Sequence, residues 1–245
     1  MSIRPLLLSA LTTAITLPLH AQDAPELVRN GGFEEVSKAP TTYDQISFAT
    51  GWTNATLGLP EVFDPKAAAK TVGIPVNDYG RMEPQEGQRY AGFMGWKNDV
   101  RGGMSSSPYD DRFKPGWNAY SEYLRTQLVE PLKAGKKYEL VFHVALAGNS
   151  DRAIQGVGAL VDKRELFQNN RKFIEEIPQV FTDELIEEKG VWREVRGTFT
   201  AQGDEQYLII GIFPYVGLTT AEVIEGPDNR YAYFYIDGVS LKAVE

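Results

Sequence analysis

Side chains that could bind sugar are concentrated in one part of the chain. Aromatic rings stack on the apolar faces of pyranose rings, while amides, carboxylates and arginine reach the hydroxyls. Such residues lie in or next to segment 94–116, which is rich in glycine and serine and predicted to be a long surface loop. Tyr123, Arg125 and Gln127 share one face of the strand predicted over 120–129, which follows this loop. Arg152 lies beyond the next strand, predicted over 138–147. The candidate ligand-binding residues are Trp96, Tyr109, Trp117, Tyr120, Tyr123, Arg125, Gln127 and Arg152.

Each of these residues has a structural alternative. Tryptophan is more often highly buried than displayed, so core packing competes with ligand binding for every aromatic residue here. Arg152 follows Asp151, and a salt bridge between the two is as compatible with the sequence as a binding role. Trp52 and Trp192 are assigned to the core, because Trp192 begins a predicted strand and Trp52 follows Gly51 as a typical entry into a sandwich.

Little in the sequence supports catalysis. Cysteine is absent, which excludes disulfides, thiolate metal sites and cysteine nucleophiles. Two histidines, His20 and His143, are too few for a multi-histidine metal site. A glycosidase needs only two carboxyl groups, but no pair has sequence neighbours that would obviously raise one pKa. We therefore predict a protein that is not an enzyme, although the acids Glu83, Glu86, Asp110, Asp111 and Glu122 leave glycoside hydrolysis open.

The charge balance argues against a nucleic-acid partner. The 245 residues include 25 Lys and Arg against 33 Asp and Glu, a formal charge of −8. No cluster of basic residues could neutralise a row of phosphates.

The first residues are typical of a secretory signal peptide. Arg4 precedes an apolar stretch from Pro5 to Leu19, and the small residue Ala21 ends the segment before a polar start. Serine and threonine dilute the stretch too strongly for a membrane span of about 20 apolar residues. We predict a signal peptide over 1–21, a secreted, periplasmic or cell-surface location, and a single domain over 22–245 with no membrane span.

The rest of the chain alternates between strand-like runs and turn residues. Runs rich in β-branched and aromatic residues predict strands over 120–129, 138–147, 192–200, 206–213 and 231–242. Pro131 and Gly135 punctuate the connection between the first two, which predicts an antiparallel hairpin. Residues 148–191 are predicted to form an insertion with one short helix within 164–176, where apolar residues recur at loosely helical spacing.

Three segments resemble those of one known family. They are Leu27-Val28-Arg29-Asn30-Gly31-Gly32-Phe33-Glu34, Tyr233-Phe234-Tyr235-Ile236-Asp237-Gly238-Val239-Ser240-Leu241, and Trp192-Arg193-Glu194-Val195-Arg196-Gly197-Thr198-Phe199-Thr200-Ala201. Their sequences and order resemble the first, last and penultimate strands of jelly-roll, galactose-binding-like carbohydrate-binding modules of secreted bacterial proteins. The chain is also similar to envelope-associated modules found beside peptidoglycan-anchoring domains. Such motifs specify a fold more than a function.

The resemblance implies a structural calcium site where the first and last strands lie side by side. Carried onto this chain, its ligands are the carbonyl of Gly32 and the carboxylates of Glu34 and Asp237. Calcium takes six to eight oxygen ligands of this kind. In a chain without cysteine, such an ion would join the two ends. The alternative is that Asp237 caps a turn and Glu34 is a solvated edge residue.

Together these features predict an all-β, antiparallel β-sandwich of jelly-roll type with a short helical insertion. The expected function is that of a secreted, non-catalytic carbohydrate-binding module with a structural calcium ion and a polysaccharide or oligosaccharide partner. Two alternatives remain open: a cell-envelope protein that docks to another protein, and a glycoside hydrolase that uses a carboxylate pair.

Overall fold

The computed structural model describes residues 24–68, 70–98, 119–214 and 222–244. Within these ranges the chain forms short and medium strands, most of them joined by turns. The strands are β1 (Trp52–Asn54), β2 (Glu61–Phe63), β3 (Val76–Asn77), β4 (Gly80–Arg81), β5 (Tyr90–Asn98), β6 (Ala119–Tyr120), β7 (Leu124–Gln127), β8 (Lys137–Leu146), β9 (Arg152–Ala153), β10 (Val157–Asp162), β11 (Val180–Phe181), β12 (Arg193–Thr200), β13 (Tyr207–Ile212), β14 (Glu222–Val223) and β15 (Tyr231–Val244).

Most of these strands form two antiparallel sheets. The first sheet has the order β1-β7-β13-β10-β11, and the second has the order β12-β8-β15-β5-β2, with β6 paired to β5. The strands β3 and β4 form one small ribbon, and β9 and β14 form another. The predicted antiparallel β-sandwich of jelly-roll type is confirmed.

The main core lies between the two sheets. Alternation along the strands places Leu124 and Ile210 of the first sheet in one buried cluster with Phe142 and Phe234 of the second. The opposite face of the second sheet carries a separate aromatic cluster that includes Tyr233. Because both faces of this sheet are covered, β15 is apolar or aromatic at nearly every position from 231 to 236.

The two ends of the described chain lie against each other. The Leu27 amide donates to the Leu241 carbonyl at 2.9 Å, and the Val239 amide donates to the Gly31 carbonyl at 3.0 Å. A Cβ on Gly31 would lie 1.8 Å from the Val239 carbonyl oxygen, so only glycine permits this approach. The predicted adjacency of the first and last segments is therefore present, but residues 27–34 form turns and irregular structure and not the predicted first strand.

The predicted helix within 164–176 is wrong. In the described part of the chain, the only helical element is a 3₁₀ turn at Ile46–Phe48. Phe167 is exposed whereas Phe173 is buried, so the apolar residues form no single helical stripe. The Gln168 side chain instead donates to the carbonyls of Lys172 and Phe173 and stabilises a turn. No described helix has the length and apolar character that a membrane crossing needs.

The predicted hairpin of the strands over 120–129 and 138–147 is also wrong. The first run divides into β6 and β7, and β7 pairs with β1 and β13 in the first sheet. The second run becomes β8, which pairs with β12 and β15 in the second sheet. The turn residues at 131–137 therefore connect the two sheets. The same residue types also occur in hairpin turns, so they do not show which of the two connections is formed.

Candidate functional site

A cleft of about 920 Å³ lies on the second sheet, on the side away from the inter-sheet core. The described residues that line this cleft lie in β2, β5, β6 and β15 and in the connections between strands. Aromatic and charged side chains dominate this lining. They include Tyr43, Tyr79, Tyr120 and Tyr231, the acids Asp44, Glu61, Asp78 and Glu122, and the bases Lys97 and Arg171.

A β-bulge decides which residues of β5 reach the cleft. Met94 lies opposite Tyr233 and Trp96 lies opposite Ala232, so Gly95 is the extra residue. The bulge reverses the facing of the residues that follow it. Trp96 consequently packs against the inter-sheet core, and Lys97 lines the cleft.

Tyr79 is the centre of the aromatic side of the cleft. Its ring stacks on that of Tyr233, with centroids 3.5 Å apart and planes inclined by 9°. Tyr43 and Tyr231 each approach the Tyr79 ring edge-on, at centroid distances of 6.0 Å. Such edge and stacked contacts are favourable for aromatic rings, so the group forms a rigid platform.

Glu61 lies beneath this platform. It accepts hydrogen bonds from the Tyr79 hydroxyl at 3.2 Å and from the Tyr233 hydroxyl at 2.5 Å. The Tyr233 side chain reaches it across Gly92, where a Cβ would lie 2.4 Å from the tyrosine oxygen. Burial, and then the nearby charge of Glu122, raise the pKa of Glu61 well above its usual value.

Glu122 is the second buried acid, and its side chain links two strands. It accepts the Met94 amide at 2.7 Å and the hydroxyl of Tyr120. Burial raises the pKa of Glu122 to about 7, although both hydrogen bonds act in the opposite direction. Carboxylate oxygens of Glu61, Glu122 and the exposed Asp44 lie within 4.8 Å of one another. The floor of the cleft is therefore a cluster of three acids, two of them buried.

Two cations complete the cleft. The Arg171 guanidinium lies 5.5 Å from the centre of the Tyr120 ring, within the range of a cation–π contact. Lys97 lies opposite Tyr120 in the β5–β6 pairing, and its charge favours the ionised form of Glu122.

Of the sequence-predicted binding residues, Tyr120 is the one that lies in the described cleft. Tyr123 is fully buried and cannot contact a ligand, because its hydroxyl donates to the Ile212 carbonyl inside the protein. Arg125 and Gln127 follow on the first sheet, and Arg125 binds Glu165 at 2.8 Å. The prediction that these three residues accompany Tyr120 in one site is wrong, since they belong to the other layer.

The remaining predicted residues lie elsewhere. Trp96 faces the core, as described above, and does not line the cleft. Arg152 forms the alternative salt bridge with Asp151, at 3.3 Å, and is outside the cleft lining. Tyr109 and Trp117 are outside the described residues. Residues 94–98 of the predicted loop 94–116 belong to β5 instead.

Sequence reasoning missed Glu61, Tyr79 and Arg171. The sequence does contain an indication for Glu61, because this acid interrupts the apolar run from Leu59 to Phe63. An acid is costly to bury without partners, so its position indicates a buried carboxyl group with hydrogen-bond partners. Tyr79 and Arg171 lie in connections between short strands, where no periodicity indicates the direction of a side chain.

The residues predicted to bind calcium are close together. Asp237 is fully buried; its carboxylate accepts the amides of Gln85, Glu86 and Gly238 at 2.8 to 3.1 Å. Burial raises the pKa of Asp237 to about 7 despite these donors. A Cβ on Gly32 would lie 3.0 Å from Glu86 Oε1 and 3.8 Å from Asp237 Oδ1, so Gly32 lies close to two carboxylates.

Glu34 is held differently. Its Oε1 accepts the amides of Gln88 at 2.6 Å and Arg89 at 2.9 Å, and its Oε2 lies 3.3 Å from the Arg89 guanidinium. Arg89 also binds the fully buried Asp64 at 2.7 Å. A cation beside Gly32 would share Glu34 with Arg89, whereas Glu86 offers an oxygen in addition to the three predicted ligands.

Comparisons with known proteins found solved structures that are similar to this chain in fold alone. No protein-family model and no curated protein matches the chain. Among solved structures, the CBM22-1 xylan-binding domain of Xyn10C from Paenibacillus barcinonensis is 13% identical, with a TM-score of 0.43, covering 92% of this chain and 98% of that one. The tandem CBM22 domain of the same protein is 14% identical, with a TM-score of 0.46, covering 92% and 48%.

A third structure comes from a larger enzyme. The CBM22-1 and GH10 modules of Clostridium thermocellum endo-1,4-beta-D-xylanase 10B, complexed with xylohexaose, are 13% identical to the chain. The TM-score is 0.43, and the match covers 91% of this chain and 29% of that one.

Proposed function

We propose that the protein is a secreted, non-catalytic carbohydrate-binding module whose binding site is the cleft on the second sheet. The observation that carries this proposal is the lining of the cleft, which combines a tyrosine platform with carboxylates, amides and two cations. Ligand pockets of about 300–1,000 Å³ accept small molecules, and 920 Å³ falls in this range. Aromatic rings beside polar groups match the alternation of apolar faces and hydroxyls on a sugar.

The rigidity of the cleft supports recognition of a preformed glycan. Tyr79 is fixed by stacking on Tyr233 and by its hydrogen bond to Glu61. Tyr120 is fixed by its hydrogen bond to Glu122 and by Arg171 above its ring. Side chains that are already ordered lose little entropy on binding, which favours affinity.

Calcium is proposed as a structural ion at the junction of the two chain ends. Oxygens of Glu86 and Asp237 both lie near Gly32, and such oxygens are the ligands that a hard cation prefers. The Gly32 carbonyl, Asp237, Glu86 and Glu34 would hold the ion, with Glu34 shared with Arg89. Its contribution would be to neutralise the buried Asp237 at the contact of the first and last segments.

The calcium proposal is tested by direct titration of calcium into the chelator-treated protein, together with its melting temperature. We expect saturable binding and a rise in melting temperature, both abolished in Asp237→Asn. The matched control, Asp204→Asn, replaces an exposed aspartate and should behave as wild type. A wild-type protein that shows neither heat of binding nor a change in melting temperature contradicts the calcium site.

Export is proposed from residues 1–21, which lie outside the described part of the chain. Mass spectrometry of the protein recovered from the medium or cell envelope of its host should find a mature start at Gln22. Recovery of the uncleaved chain from the cytosol would contradict export.

The glycan-binding proposal is tested with the purified protein on a glycan array, with calcium present, followed by isothermal titration of each ligand found. We expect at least one polysaccharide or oligosaccharide to bind, and Arg171→Ala to weaken that binding. The matched control is Arg196→Ala, which removes a half-exposed arginine at the far edge of the same sheet. Absence of binding to every glycan, or equal losses in the two variants, contradicts the proposal.

A glycoside hydrolase is the second candidate, because of the cluster of Asp44, Glu61 and Glu122. A carboxyl group with a pKa of about 7, as for Glu122, could donate a proton near neutral pH. Release of reducing sugar from a bound glycan, abolished in Glu122→Gln, would favour this candidate. The burial of Glu61 and Glu122 favours a binding role instead, since both carboxyl groups bond to the protein.

A further inference from the structure

Two exposed cations lie next to the same aromatic ring in the cleft. Lys97 is directly opposite Tyr120 in the antiparallel pairing of β5 with β6, which places their Cβ atoms about 5 Å apart. The Arg171 guanidinium lies 5.5 Å from the centre of the Tyr120 ring. Both cations are exposed and both line the cleft. The part of the cleft around Tyr120 therefore offers two positive charges beside one aromatic ring.

Arg171 is held in position by the chain segments on either side of it. Its carbonyl accepts the Ser121 amide at 2.9 Å, and its Nε donates to the Leu57 carbonyl at 3.4 Å. The Asn170 carbonyl accepts the Leu57 amide at 2.9 Å. These contacts leave the two terminal guanidinium nitrogens without an acceptor among the described residues. A side chain that is already positioned loses little entropy when it binds a ligand.

Lys97 also has unused donors. In the described part of the chain, its ammonium forms no hydrogen bond and no ion pair. It acts on Glu122, whose carboxyl already accepts the Met94 amide and the Tyr120 hydroxyl. Burial raises the pKa of Glu122 to about 7 and that of Glu61 well above its usual value. Below pH 7 these two carboxyl groups are therefore mainly protonated and do not cancel the charge of Lys97.

Two other acids line the cleft with exposed carboxylates. Asp78 belongs to the aromatic platform, where it accepts the hydroxyl of Tyr43. Asp44 is the exposed member of the acidic cluster, and its single charge offsets at most one of the two cations. In slightly acidic solution the surroundings of Tyr120 therefore keep a positive charge together with free N–H donors.

We infer that the cleft binds a glycan that carries carboxylates, with the carboxylate of one uronic acid residue held by Lys97 and Arg171 beside the ring of Tyr120. This inference rests on the proposed glycan-binding function and names the class of ligand. The planar guanidinium can donate two parallel hydrogen bonds to a carboxylate, and the ammonium can donate a further one.

The test compares glycans that differ in charge alone or nearly so. Isothermal titration at pH 6 uses galacturonan with its methyl ester, mannuronan with mannan, and each carboxylated glycan found on the array with its carboxyl-reduced form. We expect a carboxylated glycan to bind at least about tenfold more tightly than its neutral counterpart, because hydrogen bonds between charged groups are about twice as strong as neutral ones. Raising the salt to about 1 M should narrow this ratio, since the Debye length falls to about 3 Å.

Three variants test whether the two cations cause the selectivity. Lys97→Gln and Arg171→Gln each remove one charge and keep a long polar side chain. Each should lower the affinity for the carboxylated glycan more than that for the neutral one, so that the ratio narrows. The matched control, Arg196→Gln, removes a half-exposed arginine from β12 in the same sheet and should leave the ratio at its wild-type value.

The outcomes separate the inference from the function on which it rests. Equal affinity within the pairs, or tighter binding of the neutral members, overturns the selection of carboxylates and leaves glycan binding in place. A ratio that stays at the wild-type value in both Lys97→Gln and Arg171→Gln overturns the site. Binding of no glycan, charged or neutral, overturns both the inference and the proposed function.

Discussion

Replacing the buried acid Glu122 with glutamine should change how stability depends on pH. Glu122 is 3% exposed, and burial raises its pKa from 4.5 to about 7. Between these pH values the folded state binds more protons than the unfolded state, so the free energy of unfolding falls as pH rises. A shift of about 2.5 pKa units corresponds to about 3 kcal/mol lost between pH 4.5 and pH 7, after which this contribution stays constant.

Glutamine at position 122 has nearly the same shape but carries no charge. We compare the free energy of unfolding of Glu122→Gln with that of wild type at each pH. This difference should be about 3 kcal/mol more favourable to the variant at pH 8 than at pH 4.5. The neighbouring side chains that act on the pKa of Glu122 are Tyr120 and Lys97, which lower it, and Asp44, which raises it. Loss of the Glu122 charge also lowers the pKa of Glu61, which flattens the pH dependence further.

The assay is urea unfolding followed by tryptophan fluorescence, at several pH values from 4.5 to 8, without glycan. The control is Glu194→Gln, an exposed acid whose pKa the Arg196 guanidinium lowers. Its charge stabilises the fold at high pH and is lost as pH falls, so its curve should change in the opposite direction and only slightly. Parallel curves for wild type and Glu122→Gln would refute the reasoning that burial holds a proton on this carboxyl.

Two further substitutions test the framework around the cleft. Gly92→Ala should lower the free energy of unfolding by about 1–3 kcal/mol, because the new Cβ would meet the Tyr233 hydroxyl oxygen at 2.4 Å; urea unfolding with no loss would contradict this close approach. Asp64→Ala should lower the free energy of unfolding by about 3 kcal/mol or more, because it leaves Arg89 without its buried partner. Arg81→Ala breaks an exposed ion pair and should lower it by less than about 1 kcal/mol. Equal losses of stability in the two variants, measured by urea unfolding, would contradict this difference.

Four of the longer strands were predictable from the sequence, but β5 and the assignment of strands to sheets were not. The runs that became β8, β12, β13 and β15 are long and rich in β-branched and aromatic residues, so local pattern identified them. The connection at 131–137 carries the same turn residues whether it joins neighbours or crosses between layers. This ambiguity placed Tyr123, Arg125 and Gln127 in the wrong layer relative to Tyr120.

The site was harder to predict because its residues come from many short connections. Glu61 and Tyr120 are 59 positions apart in the sequence, and they meet only because β2 and β6 both pair with β5. The bulge at Gly95 reverses the facing of Trp96, which strict alternation could not anticipate. By contrast, the junction of the two ends was predicted, since the family resemblance lies in continuous segments at those ends.

The central claim, that the cleft binds glycan, is tested most directly by titrating the glycan found on the array into Tyr120→Ala and Tyr207→Ala. Tyr120 lies in the cleft, whereas Tyr207 is a partly buried tyrosine at the start of β13 in the other sheet. Loss of an aromatic anchor typically costs more than 1 kcal/mol, so the affinity of Tyr120→Ala should fall about tenfold while that of Tyr207→Ala stays at the wild-type value. Wild-type affinity in a folded Tyr120→Ala protein, or the same loss in both variants, would contradict the assignment of the cleft.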